Sequence, residues 1–398
     1  MSPETKAYIS RNKGILFFFL LWMFRLFFLQ QGNRGGVGIN KYVLVQIFAE
    51  LGIFFMLFVH RFNFFIVLTE LPLMWFGWLY LLGMASVFWG ILPLMGCYFA
   101  FQNFIMLAAL YFLAQQAKDF FQLERLYIFS HIIILWFFFI SCFLQFDSWH
   151  SVSYSTISAF LFTYCAAEYD KTNRPPENIS SLGWGVFWGI VGLGVTSSAG
   201  AMVSVLVSFL FLAMFARKPI LRFGAFVCIC VVSIAYFSGT YGWLLRLLFP
   251  GKSLTSIETA HGRVYLWNLI LEKAAERPWL GWGYASVERI ISLYTTDAHN
   301  AVVGTLGSQG YIGCGILAIA LFSTFFFLIR RRVMMGGRGL FVTFVCALVN
   351  SNTSNFITSK AGLKTIAFQM IIVLALVYYM KYKETNKGGL NQIPQKKI

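Results

Sequence analysis

Residues 301–329 read AVVGTLGSQGYIGCGILAIALFSTFFFLI and run straight into Arg330-Arg331-Arg332. No Asp, Glu, Lys or Arg interrupts these 29 residues, and about 20 apolar residues suffice to cross a bilayer as a helix. The stretch therefore predicts a membrane span ending on a cationic anchor. Runs of the same kind recur from end to end. Of the 398 residues, 59% are hydrophobic and only 12% charged, against roughly 25% charged in soluble proteins. So few charges could not cover a water-exposed surface, which excludes a soluble enzyme together with disordered, collagen-like and disulfide-scaffold classes. A β-barrel would need short alternating segments in place of continuous apolar runs. The expected fold class is all-α: a polytopic integral membrane protein of about twelve transmembrane helices.

The twelve spans are expected at about 14–31, 42–60, 72–92, 94–115, 126–146, 151–168, 182–196, 199–216, 220–238, 301–329, 339–356 and 362–380. They divide the chain into nine spans over 1–238, a large loop over 239–298, three spans over 299–380 and a polar tail over 381–398. With both termini in the cytoplasm, inner segments hold 20 Lys/Arg and outer segments 10, Arg25 inside the first span completing the 31. The positive-inside rule thus sets both termini inside and the large loop outside. No cleavable leader is expected, because the first apolar run follows Lys6, Arg11 and Lys13 without a small-residue cleavage site. The tail, rich in Lys and Gly, reads as disordered.

A net charge of +16 invites a nucleic-acid reading, but no patch alternates Lys/Arg with exposed aromatics, and no nucleic-acid partner is expected. The 45 Phe and 12 Trp fall mostly within the apolar runs, in packing or lipid-facing roles. The seven cysteines lie inside or at the edges of those runs and none in the large loop. They read as buried small hydrophobes, with no disulfide framework and no metal site. No cofactor and no nucleotide-binding Gly loop is found.

The large loop breaks the membrane pattern, so chemistry is expected there. It opens with Gly239-Thr-Tyr-Gly242-Trp243 and a Pro250-Gly251 turn. After Thr259-Ala-His-Gly-Arg263 comes a run from Val264 to Arg277 that stops at Pro278. Leu266, Leu269, Ile270 and Lys273 recur in it at helical spacing, which predicts a short amphipathic helix over the membrane face. Trp279-Leu-Gly281-Trp-Gly283-Tyr284 follows, and the loop closes on Asp297-Ala298-His299-Asn300. Lys252, Lys273 and Arg289 read as a solvated face. Arg263 and Arg277 bracket the helix, and arginine suits bidentate phosphate recognition.

The pattern His299-Asn300, nine residues, Gly310, two residues, Gly313 resembles the signature of the bacterial O-antigen ligase/polymerase superfamily. Arg263-xxx-Trp267, leading to Pro278-Trp-Leu-Gly281-Trp-Gly283, is similar to its Arg…Trp…Pro-x-x-Gly-x-Gly pattern. The resemblance covers about residues 190–330. It implies an all-helical membrane glycosyltransferase of the GT-C-like class in the bacterial inner membrane, working on its periplasmic face in lipopolysaccharide or related polysaccharide biosynthesis. The donor implied is a glycan on undecaprenyl diphosphate, and the acceptor a hydroxyl of a glycan or of lipid A core. Transfer is inverting and needs no metal; a chain-length regulator is an implied partner. Arg263 would stabilise the leaving diphosphate. His299, a neutral imidazole near neutral pH given a reference pKa of ~6.5, would accept or orient the acceptor's proton, and Asn300 and Trp267 would bind substrate. Arg277 would bind substrate, and Trp279, Trp282 and Tyr284 serve as sugar-stacking platforms or as interfacial anchors.

One departure shapes the expectation. Ligases of this kind carry a Ser-Arg or Thr-Arg pair at an outer hairpin where this chain has Thr196-Ser197-Ser198-Ala199-Gly200. The candidates to replace that cation are Arg277, Lys360 and Lys364, and the missing arginine favours a polymerase over a ligase. A flippase for the lipid-linked unit is a third reading, but needs no structured outer loop. Within the spans, Glu50 should need a partner, Arg25 being one in reach; Glu70 and Glu168 read as solvated at the cytoplasmic edge.

Overall fold

Proline opens four of the helices at the position where its missing N–H costs nothing: Pro3, Pro93, Pro176 and Pro219. Asp119 opens another, its Oδ1 accepting the Gln122 N–H at 2.7 Å. The computed structural model describes residues 3–28, 41–143, 151–169, 176–196, 198–214, 219–238, 242, 263–286, 291, 298–331, 337–359 and 361–390. Among them every regular element is helical. In chain order these are α1 (Pro3–Phe28), α2 (Lys41–Val59), the short α3 (Ile66–Thr69), α4 (Leu73–Ala85) with a 3₁₀ turn at Ser86–Phe88, α5 (Pro93–Gln115), α6 (Phe120–Phe143) and α7 (Ser151–Glu168). They continue with α8 (Pro176–Thr196), α9 (Ala199–Met214), α10 (Pro219–Phe237), α11 (Arg263–Glu276), α12 (Ala301–Arg331), α13 (Gly337–Ser351) and α14 (Leu363–Leu390).

A helix stands at each of the twelve expected spans. By length and composition, five described segments are able to cross a membrane: 93–115, 120–140, 176–196, 301–330 and 363–380. Burial sorts the bundle into a centre and a shell. From Phe104 to Ala114, α5 is buried all round, as are α13 from Leu340 to Ala347 and α14 from Ile371 to Tyr378, which is the mark of a helix enclosed by others. Phe55 and Phe58 of α2, Phe187 and Ile190 of α8, and Phe322 and Phe326 of α12 are exposed. Apolar surface that extensive is suited to lipid, not water.

Several expectations are corrected. The helix expected as the eleventh span ends at Ser351, five residues early, where the side chains of Ser351, Asn352 and Thr353 donate to the carbonyls of Leu348 and Asn350 and so compete with the helical backbone bonds. The backbone of α14 stays helical to Leu390, ten residues beyond the expected end; Lys381, Lys383, Glu384 and Lys387 favour helix there. Only Cys165 and Cys346 are buried among the described cysteines, and Cys142 is exposed. Glu70 is exposed, but Glu168 is fully buried, its Oε1 accepting the Gly339 N–H in the first turn of α13. Nearby Glu124, also buried, accepts from Tyr164 Oη at 2.7 Å and Asn178 Nδ2 at 2.8 Å. Glu50 has neutral partners: its Oε1 accepts from Trp22 Nε1, Gln46 Nε2 and Gln102 Nε2 at 2.7–2.9 Å. The Arg25 side chain lies outside the described residues.

Candidate functional site

The amphipathic helix of the loop is α11, and its apolar stripe behaves as its spacing requires. Leu266, Ile270 and Ala274 are buried one turn apart. Leu266 and Ile270 cluster with Ile291 and Ala298, with Leu269, Trp282 and Val303 packed around them. Lys273, expected on a solvated face, pairs with Glu276 at 2.6 Å near the surface. Lys252, Arg289, Asp297 and Lys360 lie outside the described residues.

After α11, Arg277–Tyr284 forms a turn docked into a break in α12. Gly310 has φ +63° and ψ −160°, a region open essentially to glycine alone, and a Cβ there would collide with the Trp279 backbone. Breaking α12 at this point strands helical backbone groups, and the turn matches four of them. Trp282 N donates to Gly307 O at 3.0 Å and Gly283 N to Ser308 O at 2.8 Å. In return, Tyr311 N donates to Pro278 O at 2.7 Å and Ile312 N to Trp279 O at 3.2 Å. Gly281, at φ +64°, meets the Ser308–Gln309 backbone with no room for a side chain. The two glycine motifs of the sequence are thus two halves of one joint.

A second clasp comes from the first half of the chain. Trp89, between α4 and α5, donates its indole N–H to Leu280 O at 3.0 Å, and Arg277 Nη1 donates back to Trp89 O at 3.2 Å. Ile91 N reaches Trp282 O at 3.0 Å. Arg277 also lies over the Trp282 ring, 4.2 Å from its centroid, and Trp282 Nε1 donates to Lys273 O at 2.7 Å. Trp279 is 67% exposed, edge-on to Tyr311. With Trp89, Arg277, Pro278, Leu280 and Gly281 it lines a shallow hollow of about 260 Å³. Tyr284 is fully buried, its hydroxyl accepting from Asn103 Nδ2 at 2.9 Å and donating to Ser359 O at 3.3 Å. No face of that ring is open to a sugar, and its place is structural.

The His-Asn pair stands at the start of α12. Asn300 is its N-cap: Oδ1 accepts from Val302 N at 2.9 Å and Val303 N at 3.1 Å. Immediately before it, His299 is half-buried with φ +54°, in the left-handed region that non-glycine residues seldom occupy. Trp267 Nε1 of α11 holds the preceding carbonyl, Ala298 O, at 3.0 Å, so His299 is fixed from both sides.

The residues that gather these parts are polar ones between α13 and α14. Arg263 Nη1, at the first residue of α11, donates to Thr353 O at 3.1 Å. Asn300 Nδ2 makes a long 3.5 Å contact with Asn352 O. Gly200, in the hairpin that lacks the arginine, abuts Thr353 so closely that a side chain there would clash. Lys364 Nζ donates to Ser354 Oγ, and Thr305 Oγ1 donates to Thr358 Oγ1 at 2.9 Å. Arg263, Trp267, His299 and Asn300 therefore gather near 352–354, while Arg277 stands at the far end of α11, about 20 Å from Arg263 at 1.5 Å per residue, with Trp279 two residues beyond it and Trp282 folded back onto the cluster of Leu266, Ile270 and Ala298. Sequence reasoning missed Trp89 and the 352–355 segment. The run Asn350–Asn355 was the available signal for the latter.

No curated protein matches the chain. A family model described as O-antigen ligase matches residues 184–318, which include α11, the docked turn, His299-Asn300 and both halves of the glycine joint. Over this third of its length the chain is similar to the O-antigen ligase family.

Proposed function

We propose that this protein is a glycan polymerase of the inner membrane, joining oligosaccharide repeat units carried on undecaprenyl diphosphate. In this reading twelve helices cross the bilayer, both termini are cytoplasmic, and the α11 loop with the 352–355 segment faces the periplasm. The acceptor sugar's hydroxyl oxygen attacks the anomeric carbon of the donor glycan from the side opposite the diphosphate. The carbon–oxygen bond to phosphate breaks, its electron pair passes to the diphosphate, and configuration inverts. Arg263 stabilises the charge that develops on the diphosphate. The imidazole of His299 takes or orients the hydroxyl proton as the new glycosidic bond forms. Asn300 positions His299 by capping α12. Trp279 and Trp89, at the far end of α11, suit an extended glycan lying along the loop.

The observation that carries this reading is the attachment of Arg263 and Asn300 to consecutive residues, Thr353 and Asn352, with Trp267 bridging α11 to Ala298. A ligase that moves the finished glycan to lipid A core is the second reading. The description of the matching family model favours it, whereas the arginine-free hairpin at 196–200 favours the polymerase. Deleting the gene in the native host and resolving its lipopolysaccharide on a gel separates the two. Core bearing a single repeat unit supports the polymerase. Bare core, with long chains accumulating on the lipid carrier, overturns it for the ligase.

A further inference from the structure

We infer that Lys364 is the second cation of the donor site, binding the lipid diphosphate together with Arg263. The inference rests on the donor chemistry proposed above and adds to it a residue outside the stretch matched by the family model.

A diphosphate carries its charge on two phosphoryl groups, so one guanidinium neutralises only part of what develops as the bond to sugar breaks. A second cation must lie within the span of that one group. Arg277 does not: it is at the opposite end of α11 from Arg263, about 20 Å away, engaged with Trp89 O and the Trp282 ring. Lys364 does. Arg263 binds Thr353 through its carbonyl, and Lys364 binds the next residue, Ser354, through its hydroxyl. Lys364 is half-buried in the first turn of α14, where the helix dipole adds positive potential. Thr353, the residue before its anchor, packs against Gly200 in the first turn of α9.

Asn355 is independent support. It is 2% exposed, and its Nδ2 donor has no acceptor. That nitrogen lies against Gly304, whose other close neighbour is Ala298, the residue before His299. A buried unmatched donor is unfavourable, and an anionic ligand oxygen within its reach would remove the cost. Thr353, Ser354 and Asn355 thus present, in sequence, a guanidinium, an ammonium and an amide N–H.

The test measures binding, separately from turnover. Full-length protein in nanodiscs is titrated with undecaprenyl diphosphate and with undecaprenyl monophosphate. Wild type should prefer the diphosphate. Lys364→Gln, which can still donate to Ser354 Oγ but carries no charge, should lose about tenfold in diphosphate affinity and little for the monophosphate. Lys364→Arg should stay within about threefold of wild type. If Lys364→Gln does not purify as a folded protein, Ser354→Ala replaces it, keeping the charge but removing its anchor, and should weaken diphosphate binding alone. Unchanged diphosphate affinity in Lys364→Gln or Ser354→Ala, with loss in Arg263→Gln, would overturn the role of Lys364 and leave the donor chemistry standing. Failure of wild type to bind either lipid would overturn both.

Discussion

Replacing Gly310 by alanine tests the joint between α12 and the docked turn. The new Cβ would collide with the Trp279 backbone, and the residue would be held at φ +63° and ψ −160°. That region costs a non-glycine residue about 1–3 kcal/mol. To relieve the clash the turn must withdraw, and the four bonds from Trp282, Gly283, Tyr311 and Ile312 lengthen or break. Losing two to four of them at about 1 kcal/mol each brings the total to about 3–7 kcal/mol. The loss is local, so hydrogen exchange is the assay of choice, supported by thermal melting in nanodiscs. The amides of Trp282, Gly283, Tyr311 and Ile312 should lose protection together, while those in the centre of α5 keep theirs. Gly315→Ala is the control: nothing lies within 4 Å of a Cβ there, and alanine in a helix should be neutral or stabilising by up to about 1 kcal/mol. Wild-type protection in Gly310→Ala would refute the claim that the glycine exists to admit the turn.

Arg263→Ala should lower polymerisation by about 10²–10³-fold, and Arg263→Lys should restore only part of it, as followed by product ladders; equal activity in all three would remove Arg263 from the chemistry. Trp267→Phe deletes the bond to Ala298 O and should destabilise the start of α12 by about 1 kcal/mol, read as faster amide exchange at 300–303. Asn300→Ala removes a cap that accepts two N–H groups and should cost about 1 kcal/mol, whereas Asn300→Ser should melt near wild type. Glu50→Leu leaves the Trp22, Gln46 and Gln102 donors unmatched and should lower stability by about 3 kcal/mol or more in thermal melts, with Glu50→Gln less damaging.

How much of this was legible in the sequence depended on whether the signal was local. Helix positions came from apolar runs, and α11 from the Leu266–Ile270 spacing, because both depend on a residue's near neighbours. The end of α13 was misjudged since hydropathy averaged over a window hides six polar residues behind the apolar run before them. The break at Gly310 was invisible for another reason: a lone glycine in a helix is ordinary until another backbone arrives against it, here one from 278–279. Trp89 and Tyr284 were hidden by distance along the chain. Trp89 meets the turn from 191 residues away, and Tyr284 is buried by Asn103 and Ser359, so an aromatic written for a sugar became a peg in the core. The pairing of Arg263 and Lys364 on Thr353 and Ser354 likewise needs three separate segments to meet, and spacing alone does not encode it.

Reconstituting the purified protein with its lipid-linked repeat unit tests the central claim most directly. In proteoliposomes given only that substrate, wild type should lengthen the glycan on the lipid carrier with release of undecaprenyl diphosphate, and His299→Ala and Arg263→Ala should leave the single unit unchanged while remaining folded. Lengthening by His299→Ala at the wild-type rate, or no lengthening by wild type with transfer appearing once lipid A core is added, would contradict it.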